Sequence, residues 1–252
     1  MPDDFSESIN GKNNCETAVK ITMLTSIGDR LIEIRLRLDQ AALHCGRRPD
    51  SIRLVAVTKT HPAELIHLAV AAGITIVGES YIQEAQSKFD ALIDQPLQWH
   101  FIGHLQSNKA KYAVRMFDLI HTVDSIKLAA GIDRQAQKAG KVQNVLVQVN
   151  ISGESTKAGA SERAVTDLLG SISEMQHIKV HGLMTIPPFF DQPEKARPYF
   201  SALRQLSDRI RSLKIPHIEM TELSMGMTGD FETAVEEGST LVRIGTALFG
   251  ER

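Results

Sequence analysis

The sequence lacks several features that would place it in a specialised class of proteins. It has two cysteines, Cys15 and Cys45, whose wide spacing matches neither a metal motif nor a disulfide-stabilised secreted domain. No apolar run approaches the roughly eighteen residues that a membrane helix needs, and the acidic start of the chain is unlike a signal peptide. We therefore expect a soluble protein of a reducing compartment, the cytoplasm.

An excess of charge of either sign is also missing. Lys and Arg number 28 against 30 Asp and Glu, a formal net charge of −2, and both signs are spread along the chain. Such a chain offers no basic surface to attract nucleic acid or an anionic membrane. With 42% hydrophobic residues over 252 positions, it suits one large α/β domain or two smaller ones.

The first part of the chain contains a predicted tail and a predicted helix. Residues 1–20 lack hydrophobic periodicity and are rich in polar residues, which predicts a mobile N-terminal tail. From Ile21 to about Leu43 apolar residues recur every three or four positions, which predicts an amphipathic N-terminal helix.

After this helix, short apolar runs alternate with helix-length segments. The predicted strands are Ile52–Thr58, Ile74–Val77, Trp99–Ile102, Leu119–Val123, Val145–Val149, Val180–Met184, Glu222–Ser224 and Leu241–Ile244. The predicted helices between them are Pro62–Ala72, Tyr81–Leu92, Ser125–Ala139, Ser161–Met175 and Glu194–Leu213.

This alternation predicts right-handed crossovers and a parallel sheet. Eight strands in about 200 residues suit a closed (β/α)8 TIM barrel, and no Pro-, Ser- or Gly-rich linker interrupts them, so we expect one domain over residues 21–252. A doubly wound open sheet is the alternative, because periodicity does not distinguish an open sheet from a closed one.

Polar and glycine residues gather where the predicted strands end. In a TIM barrel the carboxyl ends of the strands form the active face, and loops after strands seven and eight commonly bind phosphate through backbone N–H groups. The candidate site residues at strand ends are Lys59, Ser80, Asn150, Ser224, Met225, Gly226, Gly245 and Thr246.

Lys59 is the candidate nucleophile. It follows the apolar run Leu54–Thr58, and an apolar environment disfavours the ammonium form and frees the amine to attack an aldehyde. An aldehyde on this lysine and a phosphate across the barrel mouth together describe pyridoxal 5′-phosphate, PLP. Arg243, in the last strand, could donate to the pyridine nitrogen and make the cofactor a weaker electron sink. The alternatives are a solvated Lys59 and an outward-facing Arg243 in a surface ion pair.

Several ordered segments carry a family resemblance: AVTKT at 56–60, GESYIQE at 78–84, WHFIGHLQSNK at 99–109, VNIS at 149–152, GLMTIPP at 182–188, LSMGMTGDF at 223–231 and VRIGTALFG at 242–250. Through them, residues from about 27 to 252 resemble the pyridoxal phosphate homeostasis proteins, also called proline synthase co-transcribed homologues. That family is related in fold to the N-terminal barrel of alanine racemase.

The resemblance implies a barrel of PLP fold type III that holds PLP as an internal aldimine on Lys59. It also implies that Ser224, Gly245 and Thr246 line the phosphate and that Arg243 faces the pyridine ring. One position departs from the family pattern Gly-Glu-Asn-Tyr, because Ser80 replaces the asparagine. A ring contact through that amide would be lost here.

The function that the resemblance implies is a carrier or regulator in vitamin B6 homeostasis, without established turnover. The alternative is a PLP-dependent amino-acid racemase. A racemase needs a base on each face of the bound substrate, and in alanine racemase a C-terminal domain supplies the second base. We expect no counterpart of that domain here. A metal-dependent hydrolase is a further alternative, but no His-x-His or His-Glu-x-x-His grouping occurs. We expect PLP-dependent apo enzymes as partners that receive the cofactor, and a monomer or weak dimer.

Overall fold

A computed structural model describes residues 7–154 and 156–251, with side chains from residue 26 onward. Within these residues the central feature is a closed barrel of eight parallel strands. The barrel strands are β1 Arg53–Val57, β2 Ile76–Glu79, β3 Gln98–Phe101, β4 Leu119–Val123, β5 Gln143–Asn150, β7 Ile178–Met184, β8 Ile218–Ser224 and β9 Leu241–Ile244. A two-residue strand, β6 Ala160–Ser161, pairs with β5.

Each barrel strand pairs in parallel with two neighbours, in the order β1-β2-β3-β4-β5-β7-β8-β9, and β9 pairs with β1 to close the ring. The predicted closed barrel is confirmed, and the alternative of an open, doubly wound sheet is wrong. All eight predicted strands are present, Leu119–Val123 with its predicted bounds and the others with ends shifted by a few residues, whereas β6 was not predicted.

Helices connect the strands around the outside of the barrel. In the described residues they are α1 Glu7–His44, α2 Ala63–Ala71, α3 Ile82–Ala91, α4 Ala110–Met116, α5 Ile126–Lys138, α6 Glu162–Ser173, α7 Arg197–Leu213, α8 Phe231–Glu236 and α9 Thr246–Phe249. None of them combines the length and hydropathy that crossing a bilayer requires. The short helices α8 and α9 follow the last two barrel strands and the glycine-containing loops that the sequence predicted there.

The N-terminal helix α1 covers one side of the barrel. Ile27, Leu31, Ile34 and Leu38 lie on one face of it and are all buried, and the helix packs against α2, α8 and α9. The three- and four-residue spacing of these side chains is what directs one face of the helix onto the barrel.

Helix α1 begins at Glu7, well before the predicted start at Ile21. Residues 1–6 of the predicted mobile tail lie outside the described residues, and for residues 7–25 only the backbone is described. The mobility of the tail therefore stays a prediction.

Two apolar clusters occur among the described residues. The larger fills the layer between strands and helices. The smaller lies inside the ring and takes one side chain from each of six strands: Val55, Ile76, Leu119, Leu146, Met184 and Leu241. Because successive side chains of a strand point to opposite faces, each of these six strands contributes to both clusters. The ring is therefore packed inside, as a TIM barrel is, and its carboxyl ends are left to form a site.

Candidate functional site

A cavity of about 340 Å³ opens at the carboxyl ends of the barrel strands. Its volume falls within the range of small-molecule sites. Five of the predicted site residues line it: Lys59, Ser80, Arg243, Gly245 and Thr246. Barrel closure therefore brings the first and last strands of the chain to one pocket.

The loops after β7 and β8 form much of the remaining cavity wall. The loop after β7 contributes an apolar rim, and the loop after β8 contributes small and hydroxyl-bearing residues. The further lining residues are Val57, His61, Ile102, Ile186, Pro188, Phe189, Phe190, Met227, Thr228, Gly229, Asp230 and Gly250.

Lys59 presents its amine to this cavity. The residue is half-buried, and its Nζ forms no hydrogen bond or ion pair with any residue in the described part of the chain. No carboxylate therefore competes with a ligand for this amine.

Buried charged groups hold the backbone on the amino-terminal side of Lys59. Lys88 Nζ donates to the Thr58 carbonyl oxygen at 2.7 Å, to Glu79 Oε1 at 2.7 Å and to Glu84 Oε1 at 2.6 Å. The Thr58 hydroxyl donates to Glu79 Oε1 at 2.6 Å. Burial raises the pKa of Glu79, and Lys88 and Thr58 oppose that rise.

The backbone on the carboxyl-terminal side of Lys59 is held as well. The Thr60 N–H donates to the Glu84 carboxylate. Thr60 has a φ of 67°, in the left-handed region that β-branched residues rarely adopt. Strained backbone of this kind often occurs at binding sites, where the surrounding contacts maintain it.

Arg243 is a buried cation beside the cavity, inside the ring and away from the surface, so the predicted alternative of a surface ion pair is wrong. It is 4% exposed. Its Nη1 donates to Ser224 Oγ at 2.7 Å and its Nη2 to the Thr185 carbonyl oxygen at 3.0 Å. Burial lowers the pKa of Arg243 to about 10, against the influence of Asp230, so the guanidinium stays charged at neutral pH. Burial raises the pKa of Asp230, whose carboxylate accepts from the Met227 N–H at 2.6 Å.

A chain of hydrogen bonds runs from Arg243 into the barrel. Ser224 Oγ lies 2.9 Å from His121 Nδ1, and His121 Nε2 lies 3.0 Å from His100 Nδ1. Because a guanidinium can only donate, Ser224 Oγ accepts from it and has its own proton for His121 Nδ1. This assigns the His121 proton to Nε2, which donates to His100. Burial lowers the pKa of both histidines, that of His100 to about 3. The hydrogen-bonded groups beyond Arg243 are therefore neutral.

Four predicted site residues do not line the cavity. Ser224 and Met225 are fully buried behind it. Gly226 turns the loop after β8 with a φ of 91°, and a Cβ there would lie 2.6 Å from the Ala234 Cβ. The Asn150 side chain is bonded to backbone carbonyls of its own loop after β5. Their contact with a cofactor stays a prediction.

Sequence reasoning missed the buried polar groups behind the cavity. His100 and His121 lie inside the barrel on strands that read as apolar, and Lys88 lies on the buried face of α3 with Ile82 and Ala85. A signal was present for Lys88, because a charged residue on an apolar helix face needs a buried partner.

In the described residues, no group of three or more His, Cys, Asp or Glu side chains could hold a metal ion.

Known proteins resemble this chain in sequence and in fold. Residues 31–252 match the protein-family model for the alanine racemase N-terminal domain. The pyridoxal phosphate homeostasis protein of Aquifex aeolicus is 44% identical over 227 residues, 89% of this chain and 97% of that protein. PipY of Synechococcus elongatus PCC7942, solved with PLP bound, has a TM-score of 0.77 at 37% identity and covers 89% of this chain and 100% of its own. An alanine racemase of Clostridium difficile 630 shares the fold with a TM-score of 0.70 at 14% identity, and the match covers 90% of this chain and 57% of the racemase.

Proposed function

The chain belongs to the alanine racemase N-terminal domain family and, within it, to the pyridoxal phosphate homeostasis proteins, and we propose that it binds PLP through Lys59 and holds it for vitamin B6 homeostasis. One observation carries the proposal. The Lys59 amine, which has no hydrogen-bond or ion-pair partner in the described residues, lines the same cavity as Arg243 and the Gly245-Thr246 turn.

The cavity lining has a group for each part of PLP. Lys59 would hold the aldehyde end of PLP covalently through its amine, with loss of the aldehyde oxygen as water. Gly245, Thr246 and Thr228 line one part of the wall, and their backbone N–H groups and hydroxyls are donors that would suit the phosphate. When bound, PLP supplies an electron sink, whose strength depends on protonation of its pyridine nitrogen.

Arg243 favours holding the cofactor over turnover. It is a fixed cation beside the cavity, and a cation next to the pyridine nitrogen opposes ring protonation. Ser224, His121 and His100, the hydrogen-bonded groups behind Arg243, are neutral, and Asp230, the carboxyl in the cavity wall, makes no ion pair with Arg243 in the described residues. The bound cofactor is therefore a weak electron sink.

A racemase-like activity is the second candidate function. His61 lines the same cavity as Lys59, and its ring packs against the Phe249 ring with centroids 4.7 Å apart. Racemisation needs two groups that accept and return a proton. Lys59 and His61 are two groups of this kind that line one cavity.

Borohydride reduction tests the bond to Lys59. The protein loaded with PLP is expected to be yellow, and reduction should attach the cofactor to the peptide that contains Lys59. Lys59→Ala should remove that adduct, whereas the control Lys111→Ala, at an exposed lysine, should retain it. Full labelling of the Lys59→Ala protein at the same peptide would refute the assignment.

Deuterium exchange separates holding from turnover. The holo protein is incubated with L-alanine, or other L-amino acids, in deuterated water, and the α-hydrogen is followed by NMR. We expect no exchange above that of free PLP. Exchange that disappears in His61→Ala would favour the racemase-like activity instead.

Delivery to other proteins is a separate part of the proposal. We expect the holo protein to restore activity to an apo form of a PLP-dependent enzyme on mixing. If activity does not rise, delivery is excluded and the role is storage or sensing.

A further inference from the structure

We propose that Lys88, Glu79 and Glu84 form a clamp that fixes the position of Lys59, and that these three are positioning residues for its bond to PLP. This inference rests on the proposed function, because the bond itself is part of that proposal. The clamp is defined by the three charged side chains and the two peptide units that they hold.

Lys88 is the centre of the clamp. Its side chain is 6% exposed, and a lysine ammonium has three N–H donors. The three acceptors within 2.7 Å are the Thr58 carbonyl oxygen, Glu79 Oε1 and Glu84 Oε1. Every donor is therefore used, and the ammonium can leave none of these oxygens without a buried, unsatisfied group.

The two carboxylates extend the clamp to both sides of Lys59. Glu79, which is fully buried, accepts the Thr58 hydroxyl at 2.6 Å. Glu84 accepts the Thr60 N–H. The residue between Thr58 and Thr60 cannot shift without breaking a contact of one or the other.

The segment that carries Lys59 is also held by two backbone hydrogen bonds, from the Thr58 N–H to the Gly78 carbonyl oxygen at 3.0 Å and from the His61 N–H to the Thr58 carbonyl oxygen at 3.1 Å. Strand β1 ends at Val57 and helix α2 begins at Ala63, so residues 58–62 belong to neither. The left-handed conformation of Thr60 is unfavourable for its type, and both the Glu84 contact to its N–H and the His61–Thr58 hydrogen bond across the turn help to maintain it. The clamp holds the two peptide units that flank Lys59, which is the geometry that a positioning role requires.

Two ligands separate positioning from general support of the cavity. PLP can bond to Lys59, whereas pyridoxine 5′-phosphate lacks the aldehyde and reports only the non-covalent site. The test measures the affinity of apo protein for both ligands in Glu84→Ala, in Glu84→Gln and in the control Glu64→Ala. Glu64 is an exposed glutamate in the first turn of α2, as Glu84 is in the first turn of α3.

Glu84→Ala should weaken PLP binding by about tenfold, the worth of a charge-assisted hydrogen bond, and leave pyridoxine 5′-phosphate binding unchanged. Glu84→Gln keeps an acceptor oxygen for the Thr60 N–H and should recover most of the loss. Glu64→Ala should match the wild type for both ligands. Should Glu84→Ala fail to fold by circular dichroism, Thr58→Val, which removes the hydroxyl and keeps the volume, carries the same expectation.

Equal weakening of both ligands in the clamp variants would overturn the proposal, because the clamp would then support the cavity as a whole. Unchanged PLP affinity in those variants would overturn it as well. Lys59→Ala is the separate check on the proposed function: if PLP keeps its advantage over pyridoxine 5′-phosphate without Lys59, that function fails whatever the clamp variants show.

Discussion

Acidification should weaken the folded state through the buried histidine pair. His100 is 2% exposed, and burial first, then the charge of Arg53, lowers its pKa from 6.5 to about 3. The folded protein keeps His100 neutral over an interval in which the unfolded chain takes up a proton. Because the unfolded state binds more protons there, the free energy of unfolding falls as the pH falls from about 6.5 towards about 3.

The size of this loss follows from the two pKa values. Each pKa unit corresponds to about 1.4 kcal/mol, so His100 alone should cost about 2 kcal/mol at about pH 5 and about 5 kcal/mol at the end of the interval. Burial also lowers the pKa of His121, which adds a loss in the same direction. Glu79 and Asp230 have raised pKa values and act in the opposite direction, so the histidine contribution must be isolated by a variant.

Urea unfolding followed by circular dichroism measures this contribution. The wild type, His100→Asn and the control His67→Asn are compared between about pH 7.5 and about pH 5. His67 is exposed on α2, so its variant should follow the wild type, whereas His100→Asn should lose about 2 kcal/mol less over the same interval. Equal losses in the wild type and His100→Asn would refute the reasoning, since His100 would then be solvated or already charged in the folded protein.

Three further predictions concern the cavity wall and its surroundings. Gly103→Ala should lower the free energy of unfolding by at least about 2 kcal/mol, because a Cβ would lie 2.1 Å from the Ser80 carbonyl oxygen. The control Gly170→Ala, in helix α6 with open space around the position, should raise the free energy of unfolding by about 0.5 kcal/mol. Thermal unfolding of both variants measures the two changes. Arg243→Lys should weaken PLP binding by about tenfold in a fluorescence titration, because one ammonium cannot replace a fork that reaches two acceptors. Phe189→Ser should change urea stability by less than about 0.5 kcal/mol, since Phe189 is 86% exposed.

Each of these has a contrary outcome. Similar melting temperatures for the two alanine variants would mean that the Gly103 turn can relax. Wild-type PLP affinity in Arg243→Lys would show that the guanidinium does not contact the ligand. A loss above about 1 kcal/mol in Phe189→Ser would show that the side chain packs against the protein in solution.

The local sequence pattern predicted the bounds of some strands better than those of others. Leu119–Val123 was predicted with its observed bounds, because four of its five residues are apolar or β-branched, and all five are buried in the structure. In β8, the polar residues Glu219 and Thr221 are exposed and interrupt the apolar pattern, so the sequence predicted only its last three residues. Helices α8 and α9 span six and four residues, too few for a helical period to show.

The candidate site divides in the same way. Lys59, Arg243 and the Gly245-Thr246 turn were found from their places at or near strand ends, because every parallel strand of a barrel ends on one face. The partner of Arg243 was not predicted. The expectation that Ser224 contacts a phosphate stays a prediction, and the structure shows its hydroxyl bonded to the guanidinium and to His121.

By itself the sequence determined the barrel class, the order of its elements and the lysine and glycine turns at its mouth, since these depend on patterns within a few residues. Only the tertiary structure decided which buried groups meet. His121 and Ser224 are 103 positions apart, and Lys88 and Thr58 are 30 apart. Such pairs form because the ring closes and the helices pack against it. A pattern within a few residues cannot predict contacts between residues so far apart in the sequence.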